Sequence, residues 1–257
     1  MYRGAKKPIK VAVTSGKGGV GKTSVSVSLA LALAKRGYRV GLLDVDLTGA
    51  NIHDILGKKE LEITPDDRFV PSTERGVRYI SLGQISADGM PVLWDPKDIR
   101  SAARQLLERT DWGELDYLVA DFPPGFGPEV LEMLPLMDCA IIVTAPSALT
   151  KSKVERMVEA LREYQIPVAG LIKNMSYFEC PNCGAKHKIF PEDHSFEELG
   201  IPTIAEFPLN PKYAEQKVIN EFPLDVVLEA INHPILLKKK PKSLKRRLLE
   251  LIFKVKR

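Results

Sequence analysis

The chain has 257 residues, of which 44% are hydrophobic and 27% are charged. This length and apolar content suit one large α/β domain, or two small ones, with an ample core. No apolar run approaches the roughly 20 residues of a transmembrane helix, so we expect no membrane span. The first residues pass directly from basic positions into a strand pattern. We therefore expect no signal peptide and a reducing, cytoplasmic location.

The net charge of +4 is unevenly distributed. Residues 238–257 contain ten Lys and Arg and one Glu, so this segment carries +9 and the other 237 residues together carry −5. An acidic body argues against a nucleic-acid-binding core, and no nucleic acid is expected as a partner. We therefore divide the chain into a body, 1–237, and a basic tail, 238–257.

Short apolar runs alternate with helical patterns along the body, which is typical of βαβ units around a mostly parallel sheet. Strands are predicted at 9–15, 39–45, 78–83, 117–122, 139–145, 168–174 and 202–207. Helices are predicted at 23–35, 96–108, 128–135, 150–164 and 192–199. We therefore expect a single doubly wound α/β sheet in the body.

The tail has the pattern of a basic amphipathic helix. Its apolar residues recur at helical spacing, with Lys and Arg opposite them. They are Leu244, Leu248, Leu251, Ile252 and Val255. Such a helix could contact a membrane of anionic lipid, fit the groove of a partner protein, or pack on the protein's own body or dimer mate.

The first predicted strand is followed by the phosphate-loop pattern G-x-x-x-x-G-K-[ST]. The residues GKGGVGKTS, at 16–24, lie between a strand and a helix, as this pattern requires. Backbone N–H groups would surround the phosphates, Lys22 would reach the terminal oxygens and Thr23 would bind Mg²⁺. The predicted nucleotide-binding residues here are Gly16, Gly18, Gly19, Val20, Gly21, Lys22, Thr23 and Ser24. A second lysine, Lys17, directly follows the first glycine.

Three aspartates stand at the ends of predicted strands. Asp44 and Asp46 belong to DVDLTG, and Asp121 begins DFPPGFG. Because the carboxyl ends of parallel strands meet at one edge of a sheet, these side chains should face the phosphates. They are candidates to hold Mg²⁺ and to orient an attacking water. Thr23, Asp44 and Asp121 are the predicted Mg²⁺ residues.

The segment 176–190, SYFECPNCGAKHKIF, carries Cys180 and Cys183 with the spacing of a metal knuckle. A tetrahedral zinc or iron–sulfur site needs four ligands, and this pair supplies two. His187 and His194 could complete a site within the chain, or a twofold dimer could join two pairs. A redox disulfide is the third possibility. Cys139 lies in an apolar strand and is expected to be an ordinary core residue.

GKGGVGKT resembles the deviant phosphate loop of the MinD/ParA/Mrp ATPases, SIMIBI-like P-loop NTPases with a signature lysine second in this motif. DVDLTG resembles their switch I and DFPPG their switch II. The resemblance runs from about Ile9 to Asn220. It implies a homodimer in which Lys17 crosses to the partner's phosphates and acts in catalysis with Lys22, while Asp46 positions the water.

The same resemblance implies further contacts to the nucleotide. Asp121 would hold Mg²⁺ through water, and Gly125 would offer its amide to the γ-phosphate. Asn174 and Pro208 match positions that contact adenine in the family. The guanine motif N-K-x-D does not occur in the sequence, so ATP is favoured over GTP.

NMSYFECPNCG, at 174–184, resembles the Mrp branch of the family. That resemblance implies a dimeric ATPase that carries a [4Fe–4S] cluster between two cysteine pairs and delivers it to apo-proteins. The chain departs from the branch in its switch I, DLTGAN, and in its basic tail.

These departures leave two alternatives. One is an Mrp-type ATPase that assists nickel insertion in [NiFe]-hydrogenase maturation with a nickel-carrying partner, and that holds zinc or nickel at the cysteines. The other is a MinD/ParA-like positioning ATPase on membrane or DNA. A small-molecule kinase would use the same loop but would not need Lys17.

Overall fold

The computed structural model describes residues 7–46, 49, 51–57, 59–84, 95–146, 150–180, 182–188, 198–210, 218–219 and 221–239. The predicted tail helix, His194 and most of the predicted helix at 192–199 lie outside these ranges, so the division at 238 stays a prediction. No helix within the described ranges is both long enough and apolar enough to span a bilayer.

The secondary structure follows the predicted βαβ alternation. The strands in the described ranges are β1 (Ile9–Ser15), β2 (Val40–Asp44), β3 (Glu62–Ile63), β4 (Phe69–Val70), β5 (Ser72–Glu74), β6 (Val77–Ile80), β7 (Tyr117–Asp121), β8 (Cys139–Thr144), β9 (Val168–Glu179), β10 (Lys186–His187) and β11 (Thr203–Leu209). The α-helices in those ranges are α1 (Lys22–Lys35), α2 (Ile52–Leu56), α3 (Pro96–Glu108), α4 (Pro128–Met133), α5 (Thr150–Tyr164) and α6 (Leu224–Asn232). The helix predicted at 128–135 ends as a 3₁₀ turn, Leu134–Leu136.

One sheet organises the described residues. Its strands follow the order β9, β8, β1, β7, β2, β6 and β5, and both β10 and β11 pair with β9. The neighbours from β9 to β6 are parallel, as is β11, whereas β5 and β10 run antiparallel to their partners. β3 and β4 form a separate antiparallel pair. The prediction of a mostly parallel α/β sheet is confirmed.

Helices cover both faces of the sheet. Successive residues of a strand point to opposite faces, so β1 sends Val11 and Val13 into one core and Ala12 into the other. The first core lies beneath α1 and α6, and the second beneath α3, α4 and α5. Because both faces are buried, the strands are almost continuously apolar, as is usual for parallel sheets. The polar residues at their carboxyl ends therefore stand out.

Gly41, in β2, offers a direct test of the second core. A Cβ at this position would lie 2.7 Å from Leu118 Cδ1 and 2.8 Å from Leu115 Cδ1. We expect Gly41→Ala to lower the free energy of unfolding by about 1–3 kcal/mol, the usual cost of overpacking a core.

The matched control for this prediction is Gly18→Ala. The nearest atom to a Cβ at Gly18 is Pro124 Cγ, at 3.8 Å, so this variant should unfold close to wild type. Denaturant unfolding without added nucleotide measures both changes, and equal stability of the two variants would contradict the packing described here.

Candidate functional site

The phosphate loop joins the end of β1 to the start of α1. Gly19 and Gly21 both have φ of 77°, a left-handed conformation that glycine adopts readily. Gly16 is needed for space, because a Cβ there would lie 2.6 Å from the backbone carbon of Lys153 in α5. The glycines therefore let the loop turn tightly at the carboxyl edge of the sheet, where its backbone can approach phosphates.

Asp121, at the end of β7, gathers three short hydrogen bonds. Lys22 Nζ and Ser26 Oγ both donate to Asp121 Oδ1 at 2.7 Å. Thr23 Oγ1 donates to Oδ2, also at 2.7 Å. The Lys22 and Asp121 side chains are only 7% and 1% exposed, so this ion pair is buried. A phosphate oxygen that accepts a hydrogen bond from the Lys22 ammonium would compete with Asp121 for it.

Sequence reasoning missed Ser26 as a member of this cluster. Ser26 lies four residues after Lys22 in α1, one turn along the same face. Its hydroxyl donates to Asp121 although it is also placed to donate to the Lys22 carbonyl, 3.1 Å away. The helical spacing was the available signal, but serine at such a position usually bonds only to its own helix.

The same edge suits Mg²⁺. A threonine hydroxyl and a carboxylate held 2.7 Å apart are hard oxygen ligands of the kind this ion prefers. Within the described residues, no three Asp, Glu, His or Cys side chains converge as a metal site. Mg²⁺ would therefore be held by Thr23, Asp121 and the phosphates themselves, and it would neutralise charge on those phosphates.

Asp44 lies directly opposite Asp121 in the register of β2 and β7. Its carboxylate accepts hydrogen bonds from Ser81 Oγ at 2.9 Å and from the backbone amides of Asp46 and Asn51 at 3.1 and 3.2 Å. Burial, and after it the charge of Asp121, raises the pKa of Asp44 to about 8. Asp44 thus organises the residues after β2, and its contact with Mg²⁺ stays a prediction.

Two carboxylates border the switch segments. Asp46 Oδ1 accepts a hydrogen bond from the Gly49 amide at 2.9 Å. Glu129, in the first turn of α4, is only 8% exposed, and its carboxylate lies against Gly127. Burial raises the pKa of Glu129, and the charge of Asp46 adds to the shift. Sequence reasoning missed Glu129, because a single glutamate after a proline usually marks only a helix start.

Gly125 and Lys17 lie beside the phosphate loop. The Gly125 amide, predicted to bond the γ-phosphate, donates to the Ser15 carbonyl at 3.2 Å. Lys17 is half-buried, and its carbonyl accepts a hydrogen bond from Ser15 Oγ at 3.0 Å. Among the described residues, no hydrogen bond or ion pair of the Lys17 ammonium is found.

The predicted adenine contacts lie at the same edge. Asn174, in β9, is 6% exposed, and its Nδ2 donates to the Val20 carbonyl of the phosphate loop at 2.9 Å. Pro208, in β11, pairs with Tyr177 of β9. The structure therefore brings Asn174 to the loop directly and places Pro208 on the neighbouring strand.

The cysteine pair lies at the tip of a hairpin formed by β9 and β10. The Cys180 amide donates to the Ala185 carbonyl at 2.9 Å, and the Gly184 amide donates to the Cys180 carbonyl at 2.8 Å. The amide of Asn182, followed by that of Cys183, lowers the pKa of the Cys180 thiol. A thiol that ionises easily is suited to metal binding, because the thiolate is the ligand.

The described part of the chain supplies only two ligands at this tip. No third Cys, His, Asp or Glu there joins Cys180 and Cys183 in a metal site; His187 lies in β10, where its backbone pairs with that of Phe178. Both cysteines are free of disulfide bonds. Cys139 is buried in β8, which raises the pKa of its thiol to about 12 and confirms it as a core residue.

The buried ion pair leads to a stability prediction. Asp121→Asn would remove the carboxylate that directly contacts the buried Lys22 ammonium, and we expect it to lose about 3 kcal/mol of unfolding free energy. Asp225→Asn is the control, because the Asp225–Arg36 pair is exposed and solvent screens its charges, so its loss should destabilise the protein much less. Denaturant unfolding without nucleotide compares them, and a loss in Asp121→Asn no larger than in the control would refute the prediction.

Comparison with known proteins agrees with this geometry. Residues 7–233 match the family model described as ParA: NUBPL iron-transfer P-loop NTPase. An iron-sulfur cluster carrier protein from Deinococcus radiodurans is 40% identical over 222 residues. The aligned region covers 82% of this chain and 63% of that relative, so the chain spans less than two thirds of the relative's length.

Solved structures show the same fold. A nucleotide-binding protein from Archaeoglobus fulgidus, solved in complex with ADP, is 33% identical to this chain, with a TM-score of 0.70. The superposition covers 81% of this chain and 85% of that protein. The cell division ATPase MinD from Pyrococcus furiosus is 19% identical, with a TM-score of 0.63 over 88% of this chain and 98% of that one. At this identity the similarity shows the fold alone. The loop, the switch segments and these matches together show that the chain belongs to the ParA/NUBPL family of iron-transfer P-loop NTPases.

Proposed function

We propose that this chain is an ATP-hydrolysing carrier of iron–sulfur clusters, which works as a cytoplasmic homodimer and delivers its cargo to apo-proteins. The observation that carries the proposal is the placement of a phosphate-binding loop and a two-thiol knuckle at the same edge of one sheet. A relative named iron-sulfur cluster carrier protein supports the nature of the cargo.

The nucleotide half of the site would work by exchange of partners. Lys22 leaves Asp121 for the β and γ phosphates, and Asp121 together with Thr23 becomes free to hold Mg²⁺. The Gly125 amide, now bonded to Ser15, turns to the γ-phosphate. Asp46 orients the attacking water. Each step uses a group that the structure already places at the carboxyl edge.

Lys17 would act on the nucleotide of the second subunit. Its position beside the loop, half-buried and with no ion pair found in the described residues, suits a cation that meets a partner's phosphates. A cation supplied from a neighbouring chain stabilises the charge that develops in phosphoryl transfer, as an arginine finger does. Hydrolysis would then depend on dimer formation.

The cargo half of the site would also need two chains. An iron–sulfur cluster is held by four cysteine thiolates, and Cys180 and Cys183 are the two that each hairpin offers. Cys183 is exposed and Cys180 is half-buried at the hairpin tip, which leaves room for a second hairpin and later for a recipient protein. We therefore place the cargo on the twofold axis of the dimer.

Kinetic measurements should distinguish the roles of Lys17 and Lys22. Lys17→Ala should leave ATP affinity nearly unchanged and lower kcat by about 10²–10³-fold, because the lost cation acts on the transition state. Lys22→Ala should instead weaken ATP binding itself. Nucleotide binding by calorimetry and steady-state phosphate release measure both effects, and normal turnover in Lys17→Ala would rule out the role of Lys17 across the dimer.

The cargo is tested by anaerobic purification with metal and sulfide analysis and absorbance spectroscopy. We expect about four irons and four sulfides per dimer in wild type, and loss of both in Cys180→Ala/Cys183→Ala.

Cys139→Ala is the control for the cargo experiment, because that thiol is buried in β8, and it should keep the iron. Zinc or nickel without iron in the wild type would contradict the proposed cargo and favour the nickel-insertion alternative.

A further inference from the structure

Strand β9 is the physical connection between the two halves of the site. Asn174 lies in this strand and touches the phosphate loop through the 2.9 Å hydrogen bond from its Nδ2 to the Val20 carbonyl. Cys180 follows six residues later, directly after the end of the same strand. At ~3.3 Å per residue, the two are separated by about 20 Å of extended chain. The residues between them are the direct covalent path from one end to the other.

The pairing of β9 with β11 is irregular between these two points. Glu206 pairs with Lys173, but Pro208 pairs with Tyr177, so two steps along β11 correspond to four along β9. The surplus residues form a bulge at 174–176. Bulges bend a strand and re-aim the side chains beyond them, and they are often found beside functional sites.

Met175, at the centre of this bulge, has a φ of 55°. A left-handed backbone is costly for a residue with a long side chain, and it persists only where the surroundings enforce it. The phosphate loop is part of those surroundings, because Met175 Cε lies 3.5 Å from the position of a Cβ on Gly21. Asn174 and Met175 therefore both rest on the loop that phosphates would occupy.

Side-chain contacts connect β9 to its neighbouring strands on either side of the bulge. Before it, Lys173 Nζ lies 3.4 Å from Glu206 Oε1. After it, Lys186 Nζ lies 5.0 Å from the centre of the Tyr177 ring and ties β10 to β9. Beyond the bulge, β10 and the end of β9 are linked to each other, so a change of bend at the bulge would change the direction of both.

We propose that Met175 is a positioning residue, whose strained backbone makes the orientation of the cysteine pair depend on the occupancy of the phosphate loop. This proposal rests on the function proposed above and names the device that regulates it. When Asn174 turns from the Val20 carbonyl to a bound adenine, the restraint on the bulge is released. The left-handed residue then relaxes, and the hairpin changes its direction relative to the loop.

The test measures the reactivity of the thiols in the full-length protein without metal. The rate of modification by 5,5′-dithiobis(2-nitrobenzoate) is recorded with and without Mg²⁺ and a non-hydrolysable ATP analogue. In wild type we expect the analogue to change the rate by about fivefold, which corresponds to about 1 kcal/mol. Cys139 does not contribute, because it is buried in β8.

Three variants distinguish the effect of the strained Met175 backbone from the effect of its side chain. Met175→Gly accepts the left-handed conformation without strain, so the effect of the analogue on the thiol rate should disappear. The rate is measured at a saturating concentration of the analogue, because removing the strain can also change analogue affinity. Met175→Ala removes the side chain and keeps the strain, so the effect should remain. Asp67→Gly changes another left-handed residue, φ of 59°, in the turn between β3 and β4, and should behave as wild type.

Several outcomes would overturn the proposal. The first is a wild-type modification rate that does not change when the analogue binds. The second is an effect of the analogue on the rate that persists in Met175→Gly, and the third is an equal loss of that effect in Met175→Ala. Survival in Met175→Gly would also reveal simple covering of the thiols by dimer formation. Because the thiol rate requires no cluster, a failure of the cargo experiment and a failure of this one can be told apart.

Discussion

A buried ammonium needs a counter-charge, and Asp121 supplies it to Lys22 at the carboxyl edge of the sheet. This pair forms because the parallel register of β1, β2 and β7 brings the phosphate loop, Asp44 and Asp121 to one line. The two apolar cores fix that register, since a shift of one residue would turn every buried side chain to the wrong face. The chemistry at the edge therefore depends on packing beneath it.

The arrangement of charges also explains why the site can respond to a ligand. Asp121 is shared by an ammonium and two hydroxyls, while Asp44 is occupied by Ser81 and backbone amides. A phosphate group can take the place of Asp121 beside Lys22, and its metal ion can take the place of Lys22 beside Asp121. The site is thus already polarised in the direction that nucleotide binding requires, and little reorganisation of the sheet is needed.

The sequence predicted those parts of the structure that depend on local patterns. Apolar runs located β1, β2 and β7 within a residue or two, and GKGGVGKT located the phosphate loop because glycine spacing reports backbone conformation directly. The α6 helix was missed although Leu224, Val227, Leu228 and Ile231 recur at helical spacing. The extension of β9 to Glu179 was missed because it depends on pairing with β10 and β11. Ser26, Ser81 and Glu129 escaped notice for the same reason, since their partners are distant in the chain or depend on how the turn packs.

The lowered pKa of Cys180 has a chemical consequence of its own. The thiolate is the nucleophilic form of a cysteine, and it is also the form that peroxide attacks. A sulfenic acid at Cys180 would have Cys183 within the same turn to condense with, which gives a disulfide instead of irreversible damage. The turn that brings the two thiols together for a shared metal ion would thus also let them form a disulfide when no metal is bound.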